Sequence, residues 1–114
     1  MKRIAIVACE NSNTVCAGCA CLNAFYDRRK SFERYAGEEL RLTAFMRCSH
    51  CVKDGDPMQD AGFVEKLERF VSEGVEIVHI GLCGGRTEET ACPGMAKMAA
   101  AFREKGLTVV WGTH

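Results

Sequence analysis

Four short apolar runs, separated by helix-like stretches, constrain this chain more than any other feature. They are Lys2 to Cys9 (KRIAIVAC), Leu40 to Cys48 (LRLTAFMRC), Val75 to Cys83 (VEIVHIGLC) and Leu107 to Trp111 (LTVVW). Each has the length and the Ile/Val/Leu content of a strand. In the second run Leu42, Ala44, Met46 and Cys48 alternate, so one face is expected to be apolar and the strand to lie at a sheet edge. Between the runs, residues 18–30 carry Leu22, Phe25 and Tyr26 and predict a helix. Residues 60–73 place Phe63, Val64, Leu67, Phe70 and Val71 on one helical stripe, with Asp60 to cap its start and Gly74 to end it. Pro93 opens a third helix through Lys105, with Met95, Met98 and Phe102 on one face and Gly106 as its stop.

Strand and helix in strict alternation predict a single α/β domain, residues 1–114. An open, mostly parallel four-stranded sheet (βαβαβαβ) is flanked by helices in a Rossmann/flavodoxin-like arrangement. A strand order of 2-1-3-4 is the simplest expectation. At 114 residues the chain can bury a core without staples. Fifteen basic residues balance fifteen acidic ones, which argues against nucleic acid or an anionic membrane as partner. The apolar run after Met1-Lys2-Arg3 is too short for a signal peptide core, and a cytoplasmic location is expected.

On this frame the eight cysteines are not scattered. Cys9, Cys48 and Cys83 close the first three strands and His114 follows the fourth. Cys16, Cys19 and Cys21 come between the first strand and the body of its helix. Cys51 lies in the loop after strand two, and Cys92 directly precedes Pro93 at a helix start. In a parallel sheet all these positions fall at the carboxyl edge, where open α/β sheets bind their ligands. In a reducing compartment, clustered cysteines read as metal ligands or redox groups before they read as disulfides.

Cys16/Cys19 and Cys48/Cys51 have C-x-x-C spacing, which lets two sulfurs turn toward one ion. The same spacing serves a redox dithiol. The stretch between Cys19 and Cys48 holds a helix and a strand, so a site must be assembled by the fold and not by a zinc ribbon. The first ligands expected are Cys9, Cys48, Cys51 and Cys83. Cys16, Cys21, Cys92 and His114 stand behind them. Thiolates with imidazole favour zinc, and four thiolates would also hold an iron–sulfur cluster. A cytosolic thiol–disulfide protein using Cys48/Cys51 is the alternative from another class. His50 is a further candidate ligand. His79, inside a strand, reads first as a buried histidine satisfied by hydrogen bonding. Glu10 is a potential base beside a metal-bound water. Gly84-Gly85 followed by Arg86-Thr87 lacks the full phosphate-binding fingerprints.

At these residues the chain resembles the CGGC domain family, over nearly its whole length. The resemblance rests on Cys9-Glu10, Cys16 and Cys21, and the C-x-x-C at Cys48 to Cys51. It extends to Val78-His79-Ile80, Cys83, Cys92-Pro93 and Gly112-Thr113-His114. The family's name-giving pair is here Cys48-Ser49-His50-Cys51, and Gly94 stands where the family often has His after Cys-Pro. The resemblance implies a metal-binding role, with zinc the first expectation.

Overall fold

A computed structural model describes residues 1–48 and 55–114. Four strands, β1 (Lys2–Ala8), β2 (Leu40–Arg47), β3 (Ile77–Ile80) and β4 (Thr108–Trp111), form one sheet in the order β2-β1-β3-β4. Every pairing is parallel. Three α-helices alternate with the strands: α1 (Cys19–Asp27), α2 (Ala61–Ser72) and α3 (Pro93–Glu104). The expected class and strand order are therefore observed. No helix among the described residues is long and apolar enough to cross a membrane.

β1 lies between β2 and β3 and is buried on both faces. Ile4, Ala5, Ile6 and Val7 are all fully buried. Ala5 and Val7 face α2 and α3, in a core built with Met46, Phe63, Leu67, Phe70, Val78, Ile80, Met98 and Phe102. Ile4 and Ile6 face α1 and the short 3₁₀ segment Lys30–Tyr35, packing with Cys21, Ala24, Phe25, Phe32 and Tyr35. Phe102 is clamped between Phe63, edge-on at 5.7 Å between centroids, and Phe70, stacked at 5.5 Å.

Local chemistry ends the helices where the sequence signals it. Asp60 accepts the Gly62 N–H at 3.0 Å and caps α2. Gly74 takes φ +78° just past the end of that helix. The predicted stripe is wider than the contact face, since Val64 is half-buried and Val71 exposed. The first helix is shorter than residues 18–30: it stops at Asp27, and the chain turns through left-handed Arg28 before the 3₁₀ segment.

Two expectations are corrected. Strand three does not run to Cys83; it ends at Ile80, and Cys83 sits in a turn closed by Gly84 N–H to Gly81 C=O at 2.9 Å. The alternation in β2 is also broken. Ile4 pairs with Leu42 but Ala5 pairs with Ala44, so Thr43 is the extra residue of a β-bulge. Leu42 accordingly packs on the α1 side, whereas Ala44, Met46 and Cys48 pack on the α2/α3 side. Simple period-two reading put all four on one face, because it cannot see an inserted residue. The placement of β2 at the sheet edge is as expected, and edges are where bulges concentrate.

Gly84-Gly85 is a packing element. A Cβ on Gly84 would meet Ile80 Cγ2 at 2.8 Å. One on Gly85, at φ +149°, would meet the Ala91 backbone at 2.7 Å. Gly85→Ala should therefore cost about 2 kcal/mol or more, from a strained φ and a backbone clash together. Gly37→Ala has a positive φ but open space around it. Urea titration of both variants checks that the clash makes Gly85 the costlier site.

Candidate thiol site at the carboxyl edge

In this strand order the chain leaves β1 toward β2 on one side and reaches β3 on the other. The crevice between the carboxyl ends of β1 and β3 is therefore the topological switch point. Cysteines meet there. Cys9 directly follows β1, and its N–H donates to Cys83 Sγ at 3.1 Å. Cys48 directly follows β2; its own N–H continues the ladder to Ala8 C=O at 3.1 Å. Its Sγ accepts the Glu10 N–H at 3.0 Å. Cys9 is half-buried, Cys48 buried and Cys83 exposed.

A second group gathers around the α1 N-terminus. Gly18 caps the helix at φ +83°, and its N–H donates to Cys16 Sγ at 3.3 Å. Cys21 points inward from the first turn. Its Sγ lies 3.1 Å from Thr113 Oγ1 and 3.8 Å from His114 Nδ1, and Thr113 Oγ1 is itself 2.9 Å from that nitrogen. Gly81 links the two groups. A Cβ there would lie 3.4 Å from Cys83 Sγ and 3.6 Å from Cys21 Sγ, so the two sulfurs converge over a position that carries no side chain.

The cysteines outside these groups are Cys19, exposed as the first residue of α1, and Cys92. Cys92 is the N-cap of α3, and its side chain packs against the α2/α3-side core. Cys51 and His50 lie outside the described residues. The seven described cysteines are free thiols. Among the described residues, no three or more Cys, His, Asp or Glu side chains form a ready-made cation cage.

Burial dominates the electrostatics. It pushes the Cys48 thiol above its ordinary pKa; the Glu10 N–H works the other way, and the neighbouring Cys9 and the Glu10 carboxylate add to the rise. Burial likewise raises Cys21, with the Thr113 hydrogen bond opposing and Cys83 and Cys16 reinforcing. Both are therefore thiols at neutral pH until a cation or a reaction favours the thiolate.

His79 is partnered on both ring nitrogens. Tyr35 Oη is 2.8 Å from Nε2 and Ser31 Oγ 3.1 Å from Nδ1. Ser31 donates onward to the Thr113 C=O at 3.5 Å, so its oxygen accepts from Nδ1–H, and Nε2 accepts from Tyr35. Phe32 stacks on the ring at 4.2 Å. This histidine is structural: it ties the 3₁₀ segment to β3 and, through Ser31, to the residue that holds Cys21 and His114. Ser31, Tyr35, Thr113 and Gly81 carry no sequence signal for these roles, because their partners lie far away in the chain.

Burial, with Arg34 nearby as the smaller cause, lowers the His79 pKa to about 3. The unfolded chain then binds the extra proton between that value and the ordinary 6.5. Stability is therefore complete above that range and falls as pH drops through it. Between pH 7 and pH 5 the wild type should lose about 2 kcal/mol more than His79→Leu does. Urea unfolding of both proteins at the two pH values measures the difference.

The model of the CGGC domain matches residues 3–114. No curated protein and no solved structure matches the chain.

Proposed function

The chain belongs to the CGGC domain family, and from that premise we propose that it is a metal-binding protein whose first-choice ion is zinc. Cys9, Cys48 and Cys83 would hold the ion at the switch point, and Cys51 would join them through its C-x-x-C spacing to Cys48. The observation that carries the reading is the treatment of the sulfurs at the β1 end. Cys48 and Cys83 each accept a backbone N–H, from Glu10 and Cys9 respectively. Such donors stabilise the charge of a thiolate ligand and orient it. Soft sulfur donors suit zinc, which needs no redox partner and accepts four thiolates tetrahedrally.

The described sulfurs are not already drawn into a cage. Binding would close them around the ion, and it would displace the protons that burial holds on Cys48. Cys21 and His114, joined through Thr113, stand next to the site across Gly81 and form its reserve of donors.

Anaerobic purification followed by elemental analysis and a visible spectrum tests the proposal. The expected result is stoichiometric zinc in a colourless protein. A brown protein with iron and sulfide would replace zinc by a cluster, and a stable metal-free protein would overturn metal binding altogether. Cys48→Ser/Cys51→Ser should lose the metal. Because thiol protons leave on binding, apparent zinc affinity should rise between about pH 6 and pH 8; competition with a chromophoric chelator follows it.

A further inference from the structure

We infer that Cys9 and Cys48 form a redox-active pair that closes into a reversible disulfide across the ends of β1 and β2, with a low-molecular-weight disulfide such as glutathione disulfide as oxidant. The pair differs from the C-x-x-C of Cys48 and Cys51, and the inference does not depend on a metal.

The argument begins with register. After the bulge the pairing runs Ala5 with Ala44, Val7 with Met46 and Ala8 with Arg47. The next cross-strand neighbours are Cys9 and Cys48, and the Cys48 N–H to Ala8 C=O bond keeps the ladder together up to that point. Ala5 and Val7 face α2 and α3, as do Ala44, Met46 and Cys48. By alternation Cys9 points to that same side. Neighbouring strands are about 4.7–4.9 Å apart, which falls inside the roughly 4.4–6.8 Å between Cα atoms that a disulfide spans. Without the bulge, the register of Ile4 with Leu42 would bring Arg47 opposite Cys9. The extra residue at Thr43 is what puts a second thiol there.

Exposure assigns the order of events. Cys9 is half-buried and Cys48 buried, so the oxidant meets Cys9 first. The Cys9 sulfur attacks one sulfur of glutathione disulfide, its proton leaving to solvent. The S–S bond breaks, and glutathione departs as a thiolate that takes up a proton. Cys48 then loses its proton to solvent, and the Glu10 N–H at 3.0 Å steadies the charge that develops on its sulfur. It attacks Cys9 Sγ and expels the second glutathione. Two protein thiols are oxidised, and one glutathione disulfide is reduced to two glutathiones.

Disulfide mapping in the chelator-treated 114-residue chain tests the pair. The protein is equilibrated over a series of glutathione disulfide-to-glutathione ratios, alkylated, and cut with trypsin and a glutamyl protease. Cleavage after Arg3 and Glu10 leaves a fragment, 4–10, whose cysteine is Cys9; cleavage after Arg47 and Lys53 leaves 48–53. The expected product links these two fragments through Cys48, as fragmentation between Cys48 and Cys51 shows, and dithiothreitol reverses it. Cys48→Ser, checked for its fold by circular dichroism, should accumulate one glutathione on Cys9. A link from Cys9 to Cys51 or Cys83, a stable glutathione adduct on wild-type Cys9, or no oxidation of this pair would each overturn the inference. A chain that forms the link but binds no zinc would sink the metal reading alone. One that binds zinc but never forms the link would sink this inference alone.

Discussion

The register between β1 and β2 is the constraint on which the rest of the site depends. A parallel ladder has a side-chain period of two, so one inserted residue exchanges the faces of everything downstream. Here the insertion is Thr43. Upstream of it β2 delivers Leu40 and Leu42 to the α1 side; downstream it delivers Ala44, Met46 and Cys48 to the α2/α3 side. The bulge costs the ladder one regular pair at a sheet edge, where that loss is cheapest, and in exchange it brings a thiol to the residue beside Cys9. β1 tolerates this because its own geometry is held from both faces and by β3 on its other flank.

At the carboxyl edge two opposed effects act on the Cys48 sulfur. The Glu10 N–H directed at Cys48 favours negative charge on its sulfur. Burial disfavours it, and for Cys48 burial is the larger influence. The outcome is a thiol held neutral in a setting already arranged for the thiolate. Such a group changes state when something supplies the missing favourable interaction. A cation does so directly, and a sulfur–sulfur bond removes the charge altogether. Metal ligation and disulfide formation thus draw on one set of contacts, and Cys9 and Cys48 belong to both.

The architecture was legible because its signals are local. The apolar runs, the Asp60 and Gly74 punctuation and the Pro93 start each act within a few residues, and the alternation of strand and helix leaves little choice of class. The strand ends placed most of the cysteines at one edge for the same reason. What escaped was whatever depends on partners distant in the chain. Nothing about Thr43 marks it as a bulge; it is one by virtue of its register against Ile4 and Ala5. His79 reads correctly as a buried, hydrogen-bonded histidine, but that Ser31 and Tyr35 are the partners on its two nitrogens depends on residues more than forty positions away. Cys92 was placed by its helix start and Cys83 by its strand end, but their exposures were not legible: Cys92, at the α3 N-cap, packs toward the core while the turn after β3 leaves Cys83 exposed.

The two faces of the sheet also deliver their sulfurs separately, and this explains why no cage of three is already formed among the described residues. Cys48 packs on the α2/α3 face, and alternation along β1 directs Cys9 to the same side; Cys21 descends from α1 on the other. A sheet keeps such groups apart by its own thickness, so they can approach one another only beyond the last strand residue. Cys83 occupies that position because β3 stops at Ile80 and turns. From the turn its sulfur accepts the Cys9 N–H on one side and shares the space above Gly81 with Cys21 on the other. A strand running on to Cys83 would have committed that sulfur to one face. Its early end, together with the absent side chain at Gly81, puts Cys83 within reach of both groups.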